Sequence, residues 1–424
     1  MEPFVLFSIA GAVILLGFLG EWIFDKTSIP DPIWLMLFGV ILSQFMPVAD
    51  NPVFTEVGTL FTVFALIFIL FDGTINTNLR DMLFGVTRGS SIALLSFILT
   101  VTVTTVVVWA VGFGLLNGLL LGVIVGDSAQ TVIIPLFKKI KISKEAAAAL
   151  TFESAFSDVL CIVGAVTIIK VMTLNNFAMM DVTKSIFYSF SVAIVVGILW
   201  GFMWLAIHKK IDQYTRSYLT AIAVLLLLYS FVEYIGASGA LACLAFAIVL
   251  GNSKKIMEAF HKNEEESITP GAKFFYGEIS FFVKSFFFVY LGMLLNLKEP
   301  ILILFGVVIT LLVYLARPLA VKLSTRKLNL SENDIAYLEV LYPKGLSAAV
   351  LAQLPLQYGL PYAQMFSNVI ISVITSSILL TIIMIFLAEK GIFFGFGRLF
   401  GLQRANKLTP LQPGGNPQTS DLKK

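Results

Sequence analysis

Thirteen stretches of the chain are apolar over roughly the length that a membrane-crossing helix needs, and short polar segments separate them. They fall at 4–24, 31–47, 54–75, 90–113, 117–137, 147–169, 185–207, 217–235, 237–252, 274–296, 301–321, 335–357 and 363–387. About 20 mostly apolar residues cross the hydrocarbon of a bilayer as a helix, so the pattern predicts an all-α polytopic membrane protein with about 13 transmembrane helices. The stretches at 31–47 and 237–252 are short, and the one at 117–137 carries Asp127 in its middle. The first apolar run starts at Phe4, without a basic start or a small-residue cleavage site, and reads as a first span rather than a secretory leader.

Composition agrees with lipid as the solvent. Hydrophobic residues make up 58% of the 424 positions and charged ones 13%, with a mean hydropathy of +0.92. A soluble domain carries about 25% charge. The net charge of +3 is too small to suggest a nucleic-acid partner. Cys161 and Cys243 both lie in apolar runs, which leaves no disulfide framework or thiolate metal site. His208 and His261 lie in polar loops, so buried histidine chemistry is excluded.

Charge placement orients the chain. With the N-terminus outside and the C-terminus cytoplasmic, all but six of the 29 Lys and Arg fall in cytoplasmic segments. Lys170, Lys184 and Lys298 are outside, and Lys284, Arg317 and Lys344 are within spans. This is the bias of the positive-inside rule. The Pro/Gly/Gln-rich tail, 390–424, reads as a short cytoplasmic extension with too little apolar content to fold alone.

Six acidic residues are placed well inside spans: Asp72, Asp127, Glu153, Asp158, Glu278 and Glu339. Each costs about 2.5–3.5 kcal/mol at a helix centre on insertion scales, and such residues mark ion pathways or relays. Glu278 and Lys284 read equally well as a structural ion pair within one span. Arg317, near a cytoplasmic end and next to Pro318, reads as a snorkelling side chain.

The fifth stretch contains Gly126-Asp127-Ser128, then Gln130-Thr131 and Pro135. A polar, glycine-containing cluster followed by proline predicts a helix that unwinds midway, offering carbonyls and helix ends to a cation. In the sixth stretch, Ser154 and Asp158 share one helical face, while Glu153 and Ser157 share the next. One face offers a carboxylate and a hydroxyl to an ion, and the other can hold a partner from another helix. The twelfth stretch is interrupted at Tyr342-Pro343-Lys344-Gly345-Leu346-Ser347. Interruptions seven stretches apart fit two inverted six-span repeats joined by a linking helix, 185–207. Lys344 then needs an acidic partner in the core.

At these residues the sequence resembles the monovalent cation:proton antiporter superfamily, and within it the sodium/proton exchanger branch. The motif is the Asp127 segment followed by Glu153-Ser154 and Ser157-Asp158. Leu70-Phe71-Asp72-Gly73, Ser238-Gly239, Gly251-Asn252 and Pro343-Lys344-Gly345-Leu346 support it. The resemblance implies a membrane domain, 1–389, with a core (90–169 and 301–387) built on crossed, discontinuous spans five and twelve. This core moves against a panel (4–75 and 217–296) that forms a homodimer. It implies that Asp158 alternately binds cation and proton, with Asp127 beside it. Asp127 and Asp158 would then be the carboxylates on the monovalent metal ion. Ser154 is implied as a hydroxyl ligand, Asp72 acts near the ion through water, and Glu153 and Lys344 brace the core as a pair.

Ser157 stands where relatives commonly carry Asn or Asp, Gly126 where Thr is frequent, and Lys344 where Arg is found; Glu339 has no counterpart. The function expected is antiport of a monovalent cation (Na+, with Li+ and K+ admissible) for H+ in the cell membrane, electroneutral, by a protein that is not an enzyme and needs no cofactor. The alternative is a cation-coupled symporter or organic-anion transporter on the same plan. A gated channel also fits the pattern, whereas an intramembrane protease lacks the Gly-x-Gly-Asp segment it would need.

Overall fold

A computed structural model describes residues 3–27, 29–45, 52–75, 79–137, 140, 142–173, 179–211, 217–259, 270–326 and 330–389. The expected tail (390–424), Lys138, Lys139, Lys141 and His261 lie outside the described residues, as does the side chain of His208.

All regular structure among the described residues is helical. In chain order it runs α1 (Pro3–Thr27), α2 (Asp31–Phe45), α3 (Pro52–Ile75), α4 (Leu79–Ala110), α5 (Leu115–Ile124), α6 (Gln130–Phe137), α7 (Lys144–Thr173) and α8 (Met179–Ile211). It continues with α9 (Ser217–Tyr234), α10 (Gly239–Gly251), α11 (Ser253–Ala259), α12 (Pro270–Leu294), α13 (Pro300–Thr325), α14 (Glu332–Val340), α15 (Leu346–Leu351), α16 (Leu354–Gln357) and α17 (Ala363–Glu389). Seven of these, α1, α4, α7, α8, α12, α13 and α17, are long and apolar enough to cross a membrane. Every apolar stretch of the sequence falls on a helix, and the two expected to be interrupted are interrupted.

The packing partners sort into two sets. In one, α4 packs on α5, α7 and α13, and α13 packs on α17; α15 touches α7 and α17. In the other, α12 lies on α2, α3 and α1, while α10 lies on α8, α3 and α9. The smaller α15–α3, α12–α17 and α10–α7 contacts join the sets. α5 sits so close to α4 that a Cβ on Gly118 would lie 2.8 Å from the Thr105 carbonyl oxygen. Small residues permit such backbone approach where lipid supplies no hydrophobic drive between helices.

A ladder of hydroxyls holds α13 against α17. Thr310 and Ser376 bond at 2.7 Å, Tyr314 and Thr381 at 2.5 Å, and the Ser372 hydroxyl donates to the Ile303 carbonyl at 2.7 Å. Without water, a polar group must find its partner within the protein.

The two interruptions have local causes. α5 stops at Ile124, and the chain stays unwound through 125–129 before α6 begins. Pro343 lacks the N–H a continuing helix would use and disfavours helical backbone in the residue before it, so α14 ends at Val340 and α15 starts at Leu346. The open segments satisfy one another: the Ala129 N–H donates to the Pro343 carbonyl at 2.8 Å. The Lys344 N–H goes to the Ser377 hydroxyl of α17 at 2.9 Å.

Candidate functional site

Asp127 lies where the unwound segments meet and is fully buried. Its Oδ2 accepts N–H bonds from Gly345 at 2.9 Å and Ala348 at 3.4 Å, so the carboxylate caps the start of α15 from across the crossing. Its Oδ1 is buried and has no hydrogen-bond partner among the described residues. The crossing requires glycine at 345. A Cβ there would sit 2.5 Å from the Ala129 Cβ and 3.3 Å from Asp127 Oδ2.

α7 runs beside the first interruption and fixes it through two serines. The Ser157 hydroxyl accepts the Ser128 N–H at 3.1 Å and donates to the Ser154 carbonyl at 3.0 Å. The Ser154 hydroxyl donates to the Ser128 carbonyl. Both ends of the Ser128 residue are therefore held, and the lone pairs of Ser154 remain available. One turn further along, Asp158 is only partly buried. Ser347, in the first turn of α15, and Asp127 are both close enough to act on its carboxylate. Ser347 was not among the residues singled out from sequence, although it lies within the interrupted segment.

The structure corrects the expected pairing of the buried charges. Glu153 does not take Lys344. It forms a two-pronged ion pair with Arg317 of α13: Nη1 bonds Oε1, and Nη2 bonds Oε2 at 2.7 Å. Arg317 is 1% exposed, so it does not snorkel. Its remaining N–H groups reach the Leu338 carbonyl at 3.0 and 2.9 Å and the Ser96 hydroxyl. The physical reason is fit, since a planar guanidinium matches both carboxylate oxygens and an ammonium matches one.

Lys344, also 1% exposed, donates from Nζ to the Asp127 carbonyl at 2.8 Å. The same nitrogen lies 3.4 Å from the Tyr342 ring centroid. Glu339 is buried at the end of α14.

Two further charges are grouped elsewhere. Lys284 of α12 pairs with Asp31 of α2 at 2.8 Å, and the expected Glu278 partner is exposed on α12. Asp72 of α3 hydrogen-bonds Ser280 of α12 and feels the charge of Lys284. The structure thus brings Asp127, Asp158, Ser154, Ser157 and Lys344 together, with Glu153 engaged by Arg317, and seats Asp72 on α12. Asp31 was missed because it reads as a span-end residue. Its signal was Lys284 in another span, for which Glu278 offered a partner nearer along the chain.

A model of the sodium/hydrogen exchanger transmembrane domain matches residues 11–390. The chain belongs to this family. Among curated relatives, the K(+)/H(+) antiporter NhaP of Alkalimonas amylolytica is 23% identical over 379 residues, covering 87% of this chain and 64% of that protein. The K(+)/H(+) antiporter NhaP2 of Shewanella sp. (strain ANA-3) is 26% identical, with 61% of its length covered. The chain therefore spans less than two thirds of these longer relatives. The Na(+)/H(+) antiporter 1 of Methanocaldococcus jannaschii is 27% identical, with 83% of each chain covered. The solved structure of the sodium proton antiporter MjNhaP1 from that organism, at pH 8, superposes with a TM-score of 0.75 at 23% identity. It covers 92% of this chain and 98% of that one, so the two share a fold.

Proposed function

We propose that the protein is a secondary antiporter that exchanges a small monovalent cation for protons across a membrane, with Asp158 and Asp127 as the carboxylates that bind the ion. The observation that carries this reading is the orphaned Oδ1 of Asp127 at the crossing, beside the partly exposed Asp158. A buried carboxylate oxygen without a donor is costly, and a cation or a proton relieves that cost. Ser154 supplies a hydroxyl oxygen and the unwound backbone supplies carbonyls.

Among the described residues no group of three or more His, Cys, Asp or Glu gathers to hold a metal ion. Two carboxylates with neutral oxygens suit a singly charged ion. Na+ is the expected substrate, with Li+ and K+ compatible with the same ligands.

The mechanism is competition. Asp158 holds a proton or a cation but not both, and alternating exposure of the site to the two sides carries whichever is bound. Glu153 and Arg317 brace α7 against α13 and stay paired through the cycle. The two packing sets supply the parts that move: a core of α4 to α7 and α13 to α17, and a panel of α1 to α3, α9, α10 and α12 with α8 alongside. The panel forms a homodimer. The chain crosses the cell membrane thirteen times, with its N-terminus outside and its C-terminus cytoplasmic. Asp72 acts on ion entry from the panel, and Glu339 balances charge within the core. Ser157 cannot ionise near neutral pH, so one proton exchanges for one cation and transport is electroneutral.

The test is proton flux in proteoliposomes, challenged in turn with NaCl, LiCl and KCl. Salt-driven proton movement should appear in the wild type and vanish in Asp158→Asn. A well-folded Asp158→Asn exchanging at the wild-type rate refutes the assignment. With the potential clamped by valinomycin, rates should not respond to voltage; a voltage-dependent reversal would mean that a second group carries a proton.

A further inference from the structure

One aromatic ring at the crossing serves two buried cations. The Tyr342 centroid lies 3.4 Å from Lys344 Nζ and 4.0 Å from the Arg317 guanidinium carbon. The ring is 1% exposed, and its position is fixed at the far end, where its hydroxyl bonds Thr100 of α4 at 3.1 Å and lies 3.5 Å from the Gly126 carbonyl. Arg317 already has Glu153. Lys344 has no carboxylate within ion-pair distance among the described residues; its ammonium has the Asp127 carbonyl and the ring face.

From this we infer that Tyr342 is a positioning residue that governs cation affinity. Its ring holds the Lys344 ammonium on the backbone carbonyl of Asp127 and away from the Asp127 carboxylate. An ammonium in a dry site is drawn to the nearest carboxylate, and here Asp127 Oδ1 is open. If Nζ moved there it would occupy the place of the transported cation as a tethered competitor. The negative face of an aromatic ring, worth more when desolvated, supplies the counter-attraction without adding a second titratable acid. Tyr342 thus acts through Lys344, and it touches neither the ion nor the proton. The inference rests on the antiport reading, because it presumes that Asp127 takes a cation.

The experiment separates ring face from shape. Tyr342→Phe keeps the ring and removes the hydroxyl. Phenylalanines carrying one, two and three fluorines at position 342 then weaken the face stepwise with little change in volume. In full-length protein in proteoliposomes, Tyr342→Phe should stay within about twofold of the wild-type KM for the cation. KM should then climb with each fluorine to about fivefold at the third, with kcat and thermal stability little changed. A flat KM across an active series overturns the inference. So does an inactive Tyr342→Phe, which would place the role in the hydroxyl, or a KM rise matched by falling thermal stability, which would make the ring merely structural. Absence of salt-driven proton flux in the wild type would instead sink the antiport reading, so the two failures are distinguishable.

Discussion

The interruption after α5 carries a carboxylate between small residues, whereas the one after α14 carries proline, an ammonium and an aromatic ring. The first is held from outside: α7 fixes Ser128 with two hydroxyls, and the carboxylate points across the crossing to Gly345 and Ala348. The second ties itself down with the Ser377 hydroxyl and the Tyr342 ring, accepts the Ala129 N–H at the Pro343 carbonyl, and gives the first two N–H groups and a charge. The difference separates two tasks. The α5–α6 segment exposes an unsatisfied oxygen, and the α14–α15 segment supplies the scaffold that keeps that oxygen unsatisfied.

The largest effect should come from the first segment. Asp127→Asn keeps an oxygen for the Gly345 N–H, so the crossing survives, but the negative charge is gone. Salt-driven proton flux should fall to the level of empty liposomes while the melting profile stays near wild type. Flux comparable to wild type would mean that the charge of this segment is not needed for ion binding.

Next comes the brace between α7 and α13. Arg317→Met leaves Glu153 buried and unpaired, at a cost of about 3–5 kcal/mol, and combining it with Glu153→Leu should cost less than either change alone. A thermal double-mutant cycle checks this; simple additivity would show that the pair is not coupled. Adding Lys344→Met to the cycle sharpens the comparison, since Lys344 should couple to neither member as strongly as they couple to each other.

A smaller loss should follow Gly345→Ala. The new methyl would meet the Ala129 Cβ, and overpacking of this kind costs about 1–3 kcal/mol. Ala129→Gly should restore only part of the stability, because it removes the Cβ being struck but leaves the Cα of residue 129 within 2.9 Å of the new methyl. Full rescue would show that the Cβ contact alone demands glycine, and no rescue at all would show that the approach of the two backbones sets the demand.

Ser154→Ala should have the smallest effect. It removes one neutral oxygen and the bond to Ser128, worth about 1 kcal/mol, and should raise the cation KM about fivefold. An effect as large as that of Asp127→Asn would mean that holding the unwound backbone matters as much as the charge.

Much of this was legible because lipid restricts the possibilities. Apolar length alone located the helices other than the short α11, and glycine and proline marked both breaks, since each acts on its own backbone. The helical faces of α7 were readable in part: Glu153 does turn toward another helix, but Ser157, read on the same face, joins Ser154 in holding the interrupted segment. Which cation meets Glu153 was not readable. Arg317 and Lys344 are far from Glu153 along the chain, and the choice depends on how α13 lies against α7. Proximity to a span end made Arg317 look solvated, yet α4, α14 and α7 enclose it. The demand of a guanidinium for a two-oxygen partner was the available clue. Lys284 hid Asp31 for a related reason, since its partner comes from the start of another helix.

The hydroxyl ladder on α17 also bears on the order of synthesis. Chains are made from the N-terminus, so α17 follows α13 and both interruptions into the molecule. Until it arrives, the Tyr314 hydroxyl lacks Thr381, and the Lys344 N–H lacks Ser377. Among the described residues, the crossing of the two interruptions is therefore completed only when α17 docks. Docking of α17 is thus the step at which the Tyr314 hydroxyl and the Lys344 N–H gain their partners, and the second interruption its clasp.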